Sequence, residues 1–117
     1  MIVPKPNKDL RICNDQRDLN EAIKREHYYI PSLNEIVSKL KDATYFSVVD
    51  CSNRFWQVKL DEESSKLYIF NTPFGRYRSI RMPYAISSAP AVFQKKIRQL
   101  YDGVEGIDMY IDYICLM

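Results

Sequence analysis

The sequence is poor in the residues that build metal clusters and disulfide frameworks. It has one histidine, His27, and three cysteines, Cys13, Cys51 and Cys115, which lie far apart and form no paired motif. A zinc site is therefore not expected, and the cysteines are expected to be reduced thiols in an intracellular protein. A signal peptide and an apolar run of membrane-spanning length are also lacking, which argues against secretion and against a membrane partner.

Repeats, low-complexity segments and a strong charge of one sign are missing as well. The 117 residues include 17 basic and 15 acidic residues, and the net charge of +2 indicates no particular partner. This length suits one domain with a modest core. The chain stops within an apolar run and has no polar tail, which we interpret as a sign that it is a fragment.

The spacing of apolar residues predicts an α+β fold with a mainly antiparallel sheet. Extended segments are expected, in chain order, at residues 9–15, 44–50, 54–60, 67–72, 76–82 and 107–117. Gly75 is expected at the turn of one hairpin, and a second turn is expected near Asp112.

Two helices, at residues 32–41 and 88–101, are expected to back this sheet. Ser32 and Glu35 form a capping box at the start of the first helix. Pro90 suits the first turn of the second helix. Four residues of the first helix have the spacing of one buried face: Leu33, Ile36, Val37 and Leu40.

Two apolar strands each end in an aspartate, Asp50 and Asp112. If these strands are neighbours in the sheet, the two carboxylates meet at one edge. Carboxylates held close together repel each other unless a cation lies between them. Magnesium prefers such oxygen ligands and takes the rest from water and substrate phosphate, so the pattern favours a phosphoryl-transfer site. The alternative is that both are turn aspartates that cap their own backbone.

Eight short motifs occur in order along the chain: KPNKDLRIC, RDLN, IKREHY, YFSVVD, FWQVKLDEESSKL, FNTPFGRYR, ISSAPAVFQ and MYID. In this order and at this spacing they make the chain resemble the reverse transcriptase of gypsy-class LTR retrotransposons, an RNA-directed DNA polymerase. The resemblance implies a partial right-hand polymerase. A fingers segment would cover about residues 1–43 and a ferredoxin-like palm core about residues 44–117. The thumb and the ribonuclease H domain would be absent.

The same resemblance implies roles at the two aspartates. Asp50 and Asp112 would be catalytic and would hold two magnesium ions, or manganese, together with the backbone carbonyl of Cys51. One ion would activate the primer 3′-hydroxyl, and the other would neutralise the triphosphate and the leaving group.

A further set of residues would surround the deoxynucleoside triphosphate: Lys5, Arg11, Asn53, Arg54, Phe55, Tyr84 and Ala85. Arg11, and Lys5 with it, would contact the triphosphate through charge-assisted hydrogen bonds. Phe55 would lie under the sugar and exclude a 2′-hydroxyl. Asp15 and Arg17 are expected to pair with each other instead of contacting substrate.

This sequence departs from the family pattern at the same pocket. The second aspartate of the family's tight-turn motif is Tyr113 here, a phenol that is neutral near pH 7. Arg54 and Ala85 stand where the family has small residues or glycine. Arg54 would either fill space meant for the triphosphate or strain the backbone if its position requires a positive φ. The departures suggest a decayed copy whose polymerase activity is impaired.

The expected partners are an RNA or DNA template–primer duplex, deoxynucleoside triphosphates and the remaining polyprotein domains. The expected location is the cytoplasm or an element particle. Two alternatives remain open at this point. The chain could be a nucleic-acid-binding module without catalysis that uses Arg76, Arg78 and Arg81 as a basic face, although a solvated surface also explains such a cluster. It could also be an inert remnant.

Overall fold

The computed structural model describes residues 2–117 and confirms an α+β fold with antiparallel sheets. The strands are β1 (Ile2–Pro4), β2 (Leu10–Ile12), β3 (Ser47–Asp50), β4 (Ile69–Thr72), β5 (Gly75–Arg78), β6 (Ile107–Tyr110) and β7 (Tyr113–Leu116). The helices are α1 (Arg17–Ala22), α2 (Leu33–Lys39), α3 (Glu62–Leu67) and α4 (Ala89–Leu100). Within the described residues, none of the helices is long and apolar enough to cross a membrane.

Contacts divide the chain into two compact units that interleave along the sequence. The first unit takes the residues up to Arg25 together with Phe55–Ala89, and the second takes Glu26–Arg54 and Pro90–Met117. Each unit therefore consists of two segments of chain. The assignment of residues 1–43 to fingers and 44–117 to palm stays a prediction.

The first unit contains two antiparallel hairpins, β1–β2 and β4–β5. Thr72 pairs with Gly75, so the second hairpin closes through two residues and confirms the hairpin predicted there. The extended segment predicted at residues 54–60 is wrong over its first half, because Arg54–Gln57 form a 3-10 turn. The Val58 amide donates to the Phe55 carbonyl at 3.1 Å and closes this turn. The buried apolar side chains of this unit are Phe55, Tyr68, Met82, Ile86 and Ala89.

The second unit contains a three-stranded antiparallel sheet in the order β3-β7-β6. The predicted strands around Asp112 are confirmed as the β6–β7 hairpin. The two aspartate-bearing strands are not direct neighbours, because β7 lies between β3 and β6. The buried apolar side chains of the second unit are Ile36, Phe93, Met109 and Cys115.

Helix α2 begins as predicted but buries less than predicted. Ser32 Oγ accepts from the Glu35 amide at 3.4 Å, whereas the Glu35 carboxylate accepts from the Tyr29 hydroxyl. The pKa of Glu35 is lowered first by the Tyr29 hydroxyl and then by hydrogen bonds from Ser32, its backbone amide included, so the predicted capping box forms. Ile36 is buried, but Leu33 and Val37 are 58% and 55% exposed, so the predicted apolar face is wrong for these two residues.

Candidate active site

Asp50 and Asp112 lie at one edge of the sheet in the second unit. Asp50 is the last residue of β3 and pairs with Tyr113, the first residue of β7. Asp112 belongs to the turn that precedes β7, and its carbonyl accepts from the Cys51 amide at 2.8 Å. The two aspartates thus meet through the turn and not through neighbouring β3 and β6 strands.

The thiol of Cys51 reports the charge around this edge. Burial raises the pKa of Cys51, and the nearby carboxylates of Asp50 and Asp112 raise it further. The guanidinium of Arg54 acts in the opposite direction. Burial first, and the negative charge of the two carboxylates second, therefore disfavour the thiolate of Cys51.

One carboxylate already has a cation. Arg54 Nη1 lies 2.9 Å from Asp112 Oδ2, and the two side chains are only 24% and 29% exposed. Arg54 does not have a positive φ, whereas its neighbour Asn53 has a φ of 49°. Asparagine adopts this conformation more readily than most residues, so Arg54 can turn towards Asp112 without backbone strain of its own. Tyr113, beside this pair, is 45% exposed.

The atoms at this edge that could hold a metal ion are few. Among residues 2–117, no group of three or more His, Cys, Asp or Glu side chains is arranged to hold one. The edge offers hard oxygen atoms, namely the carboxylates of Asp50 and Asp112 and the carbonyl of Cys51. Magnesium is commonly bound through one or two carboxylates with water and phosphate as further ligands. These residues therefore fit one such ion, and no third carboxylate of residues 2–117 joins them to hold a second.

In the first unit, the ring of Tyr84 contacts two further candidate site residues, Arg11 and Phe55, and also Trp56. The guanidinium carbon of Arg11 lies 4.7 Å from the Tyr84 ring centroid. The ring centroids of Phe55 and Trp56 lie 5.2 and 5.6 Å from that of Tyr84. Arg11 Nε is buried and has no hydrogen-bond partner among the described residues. A buried donor without a partner needs an explanation, such as a ligand.

Ala85 keeps a glycine-like backbone, with a φ of 73°. The side chain of Asn20 holds this turn: Nδ2 donates to the Ala85 carbonyl at 2.8 Å, and Oδ1 accepts from the Ser87 amide at 2.9 Å. The role of Asn20 was not predicted from the sequence, although this residue belongs to the RDLN motif. Lys5 lies in the β1–β2 connection, where its amide donates to the Asp9 carbonyl at 2.8 Å.

The three arginines considered as a basic face, Arg76, Arg78 and Arg81, have different contacts. Arg76 Nε lies 3.4 Å from Asn71 Oδ1, whereas Arg78 and Arg81 line a groove of about 340 Å³. The groove is lined by Ile12, Asn14, Trp56, Phe70, Arg78, Ser79, Ile80, Arg81 and Pro83. The pair of Asp15 and Arg17 forms as predicted, at 2.6 Å, with both side chains exposed.

Comparison with known proteins identifies the class. The chain matches the model of the reverse transcriptase (RNA-dependent DNA polymerase) family over residues 3–117. It belongs to this family. Over 99% of its length it is similar in structure to a foamy virus protease–reverse transcriptase in complex with double-stranded DNA, with a TM-score of 0.87 and 26% identity, and it covers 20% of that chain.

Sequence relatives point to retroelement polyproteins. The chain is 40% identical, over 73% of its length, to the retrovirus-related Pol polyprotein from transposon 297 of Drosophila melanogaster. It is 36% identical, over 99% of its length, to an uncharacterised protein of Caenorhabditis elegans. It spans only 8% and 9% of these two relatives. The predicted membership of a gypsy-class retrotransposon reverse transcriptase is confirmed.

Proposed function

We propose that this chain contributes the catalytic aspartates and part of the nucleotide pocket of a retroelement reverse transcriptase, which copies a template into DNA. The observation that carries the proposal is the β3–β7 pairing, which brings Asp50 and Asp112 to one sheet edge in a chain of this family. The partners would be an RNA or DNA template–primer duplex, deoxynucleoside triphosphates and the other domains of the polyprotein.

Asp50, Asp112 and the Cys51 carbonyl would hold a magnesium ion, for which manganese could substitute. When bound, such an ion neutralises phosphate charge and activates the attacking 3′-hydroxyl. Intact members of the family would use two ions. Here Tyr113 supplies a phenol where a third carboxylate is expected, and Arg54 occupies one oxygen of Asp112. Both features weaken cation binding, so polymerase activity should be impaired.

The residues around Tyr84 would bind the nucleotide. Arg11 has a buried Nε without a hydrogen-bond partner in the part of the chain that the structure describes, and its planar guanidinium suits a phosphate group. Phe55 would exclude a ribose 2′-hydroxyl, and its ring contact with Tyr84 would hold it in place. Ala85 would lie at the pocket turn, Asn53 and Arg54 beside the triphosphate, and Lys5 would add positive charge.

A graft tests the proposed function and its impairment. Residues 3–117 would replace the matching segment of an active retrotransposon reverse transcriptase, and primer extension would be measured at saturating magnesium. Tyr113→Asp with Arg54→Gly should raise the rate about a hundredfold, which corresponds to about 2.7 kcal/mol of transition-state stabilisation. Each single change should restore part of this gain, because both act on the same carboxylates.

Matched variants control for a general effect of the substitutions. Tyr45→Asp changes an exposed tyrosine elsewhere, and Arg76→Gly removes an arginine of the β5 strand. Neither should restore extension. If the unmodified graft already extends primer at the rate of the active enzyme, Tyr113 and Arg54 are harmless and the impairment is wrong. If the double variant extends primer and keeps its rate when Asp50→Asn is added to the same graft, the role of the aspartates is wrong.

The groove beside β5 favours a second candidate function, nucleic-acid binding without catalysis. It combines two arginines with the aromatic rings of Trp56 and Phe70, and such combinations contact phosphates and stack on bases. The Arg78→Gln change should weaken RNA binding and reduce its salt slope by about 1. Lys41→Gln, on an exposed residue of the other unit, is the control. Binding with no measurable DNA synthesis, even in the restored graft, would favour this function.

A further inference from the structure

The buried side chain of Gln94 holds the turn that carries Asp112. Gln94 lies on α4 and is 1% exposed. Its Nε2 donates to the Met109 carbonyl at 3.1 Å, and its Oε1 accepts from the Ile111 amide at 3.0 Å. We propose that Gln94 is a positioning residue, which fixes the backbone of this turn and thereby the direction in which the Asp112 carboxylate points.

The sheet order explains why the turn needs such a side chain. β6 is an edge strand that pairs with β7 on one side only. Backbone groups of alternate residues point to opposite edges of a strand. Tyr110 pairs with Tyr113 across the hairpin, and the carboxamide of Gln94 takes up groups of the two flanking residues, Met109 and Ile111. The carboxamide thus bonds one backbone acceptor and one backbone donor, as a neighbouring strand would do at a paired edge.

The conformation of Ile111 gives this contact a second task. Ile111 is β-branched and has a φ of 56°, a combination that is an outlier for such residues. It persists only where the surroundings over-determine it. The bond to Gln94 fixes Ile111 from one side, and the bond from the Cys51 amide to the Asp112 carbonyl fixes the next residue from the other.

Loss of Gln94 would release the first of these two restraints. Ile111 would relax towards a negative φ, and Asp112, the next residue, would rotate with it. The role of Asp112 as a metal ligand rests on the proposed function, whereas the restraint on the turn does not. The test therefore measures the turn and the metal separately, in the 117-residue chain.

Amide hydrogen exchange measures the turn. In the unmodified chain the Ile111 amide should exchange slowly. Gln94→Met keeps the length of the side chain and removes both polar atoms, so exchange at Ile111 should become about tenfold faster, the equivalent of one lost hydrogen bond. Gln94→Glu retains an oxygen for the Ile111 amide and should preserve most of the protection. Gln99→Met, at an exposed position of the same helix, should change nothing at Ile111.

Manganese binding, followed by the broadening of amide signals, measures the consequence for Asp112. Gln94→Met should weaken Mn²⁺ binding about tenfold, while Gln94→Glu and Gln99→Met should change it by less than about twofold. If Gln94 only packed in the core, Mn²⁺ affinity would not fall in Gln94→Met while staying nearly constant in Gln94→Glu and Gln99→Met.

The outcomes separate the two proposals. Unchanged exchange at Ile111 in a folded Gln94→Met chain overturns the positioning role, as does rapid exchange of this amide in the unmodified chain, a result that needs no folded variant. Equal Mn²⁺ affinity in the unmodified and Gln94→Met chains also overturns it. If no chain binds Mn²⁺, the metal role of Asp112 in the proposed function fails, and the exchange measurement alone decides the role of Gln94.

Discussion

Two turns in this molecule are built in the same way but in different surroundings. Each contains a non-glycine residue with a positive φ, Ala85 in one and Ile111 in the other. Each is held by one carboxamide, from Asn20 or Gln94, which both donates to and accepts from the backbone. Asn20 is partly open to water, whereas Gln94 is fully buried. From this comparison we expect the same pair of hydrogen bonds to contribute more to the free energy of unfolding where water cannot replace them.

The largest effect is expected at the buried turn. Gln94→Met should lower the free energy of unfolding by about 3 kcal/mol, because two backbone groups lose their partners away from water. Urea denaturation measures this loss. Gln99→Met, on the exposed side of α4, should stay within about 0.5 kcal/mol of the unmodified chain. A loss below about 1 kcal/mol for Gln94→Met would remove the contrast between the two turns.

Asp108, close to the turn held by Gln94, should make the stability of the chain depend on pH. Asp108 is 2% exposed and lies within 2.7 Å of Lys39 Nζ and 3.3 Å of Arg98 Nη1. Burial raises the pKa of Asp108, but the hydrogen bonds from Lys39 and the Met109 amide and the charges of Lys39 and Arg98 outweigh it, so the pKa lies below its ordinary value.

The sign of the pH effect follows from this lowered pKa. The stabilisation is present at neutral pH, above the pKa of the unfolded chain, and is lost as the pH falls through the lower pKa of the folded chain. Asp108→Asn should therefore cost about 2 kcal/mol at pH 7 and much less near pH 3, since charge-assisted bonds are replaced. Urea midpoints across this range measure it. Asp15→Asn, at an exposed pair, should leave the pH profile nearly unchanged.

A smaller effect is expected at the open turn. Asn20→Ala should lower the free energy of unfolding by about 1 kcal/mol, because water can replace both hydrogen bonds of the side chain. Thermal denaturation is sufficient to detect it. Asn34→Ala, at an exposed position of α2, should be neutral. A cost for Asn20→Ala that equals that of Gln94→Met would show that exposure does not decide the value of these contacts.

The smallest effect tests the strain at the same turn. Ala85→Gly should stabilise the chain by up to about 1 kcal/mol, because glycine adopts a φ of 73° without the cost of about 1–2 kcal/mol that a side chain brings. Ala91→Gly, within α4, should instead destabilise it by about 1 kcal/mol. Destabilisation at both positions would show that Ala85 carries no strain.

Local patterns in the sequence predicted most helices and hairpins, but they did not predict which residues distant in the sequence come into contact. The hairpin closed before Gly75 and the hairpin around Asp112 follow from turn residues between apolar runs. The position of β7 between β3 and β6 was not predictable, because the spacing of apolar residues along the chain does not determine the order of strands in a sheet. Leu33 and Val37 have the spacing of a buried face, but no local pattern tells how much of that face the rest of the fold covers.

The site was predicted in part for the same reason. Aspartates at strand ends and the family motifs indicated Asp50 and Asp112, and Arg11, Phe55 and Tyr84 do lie together around one ring. The partners of polar side chains were not predictable, because Gln94 and Asn20 act on backbone groups far along the chain. The bridge from Arg54 to Asp112 likewise depends on the fold.

The Arg54–Asp112 pair makes the chain its own competitor at the carboxylate. A divalent ion that approaches Asp112 must displace a guanidinium whose effective concentration is set by a short tether and does not fall on dilution. Added neutral salt weakens the ion's attraction to the site but also weakens the resident pair. Cation affinity at this edge would therefore decline less steeply with ionic strength than at a carboxylate pair that starts open.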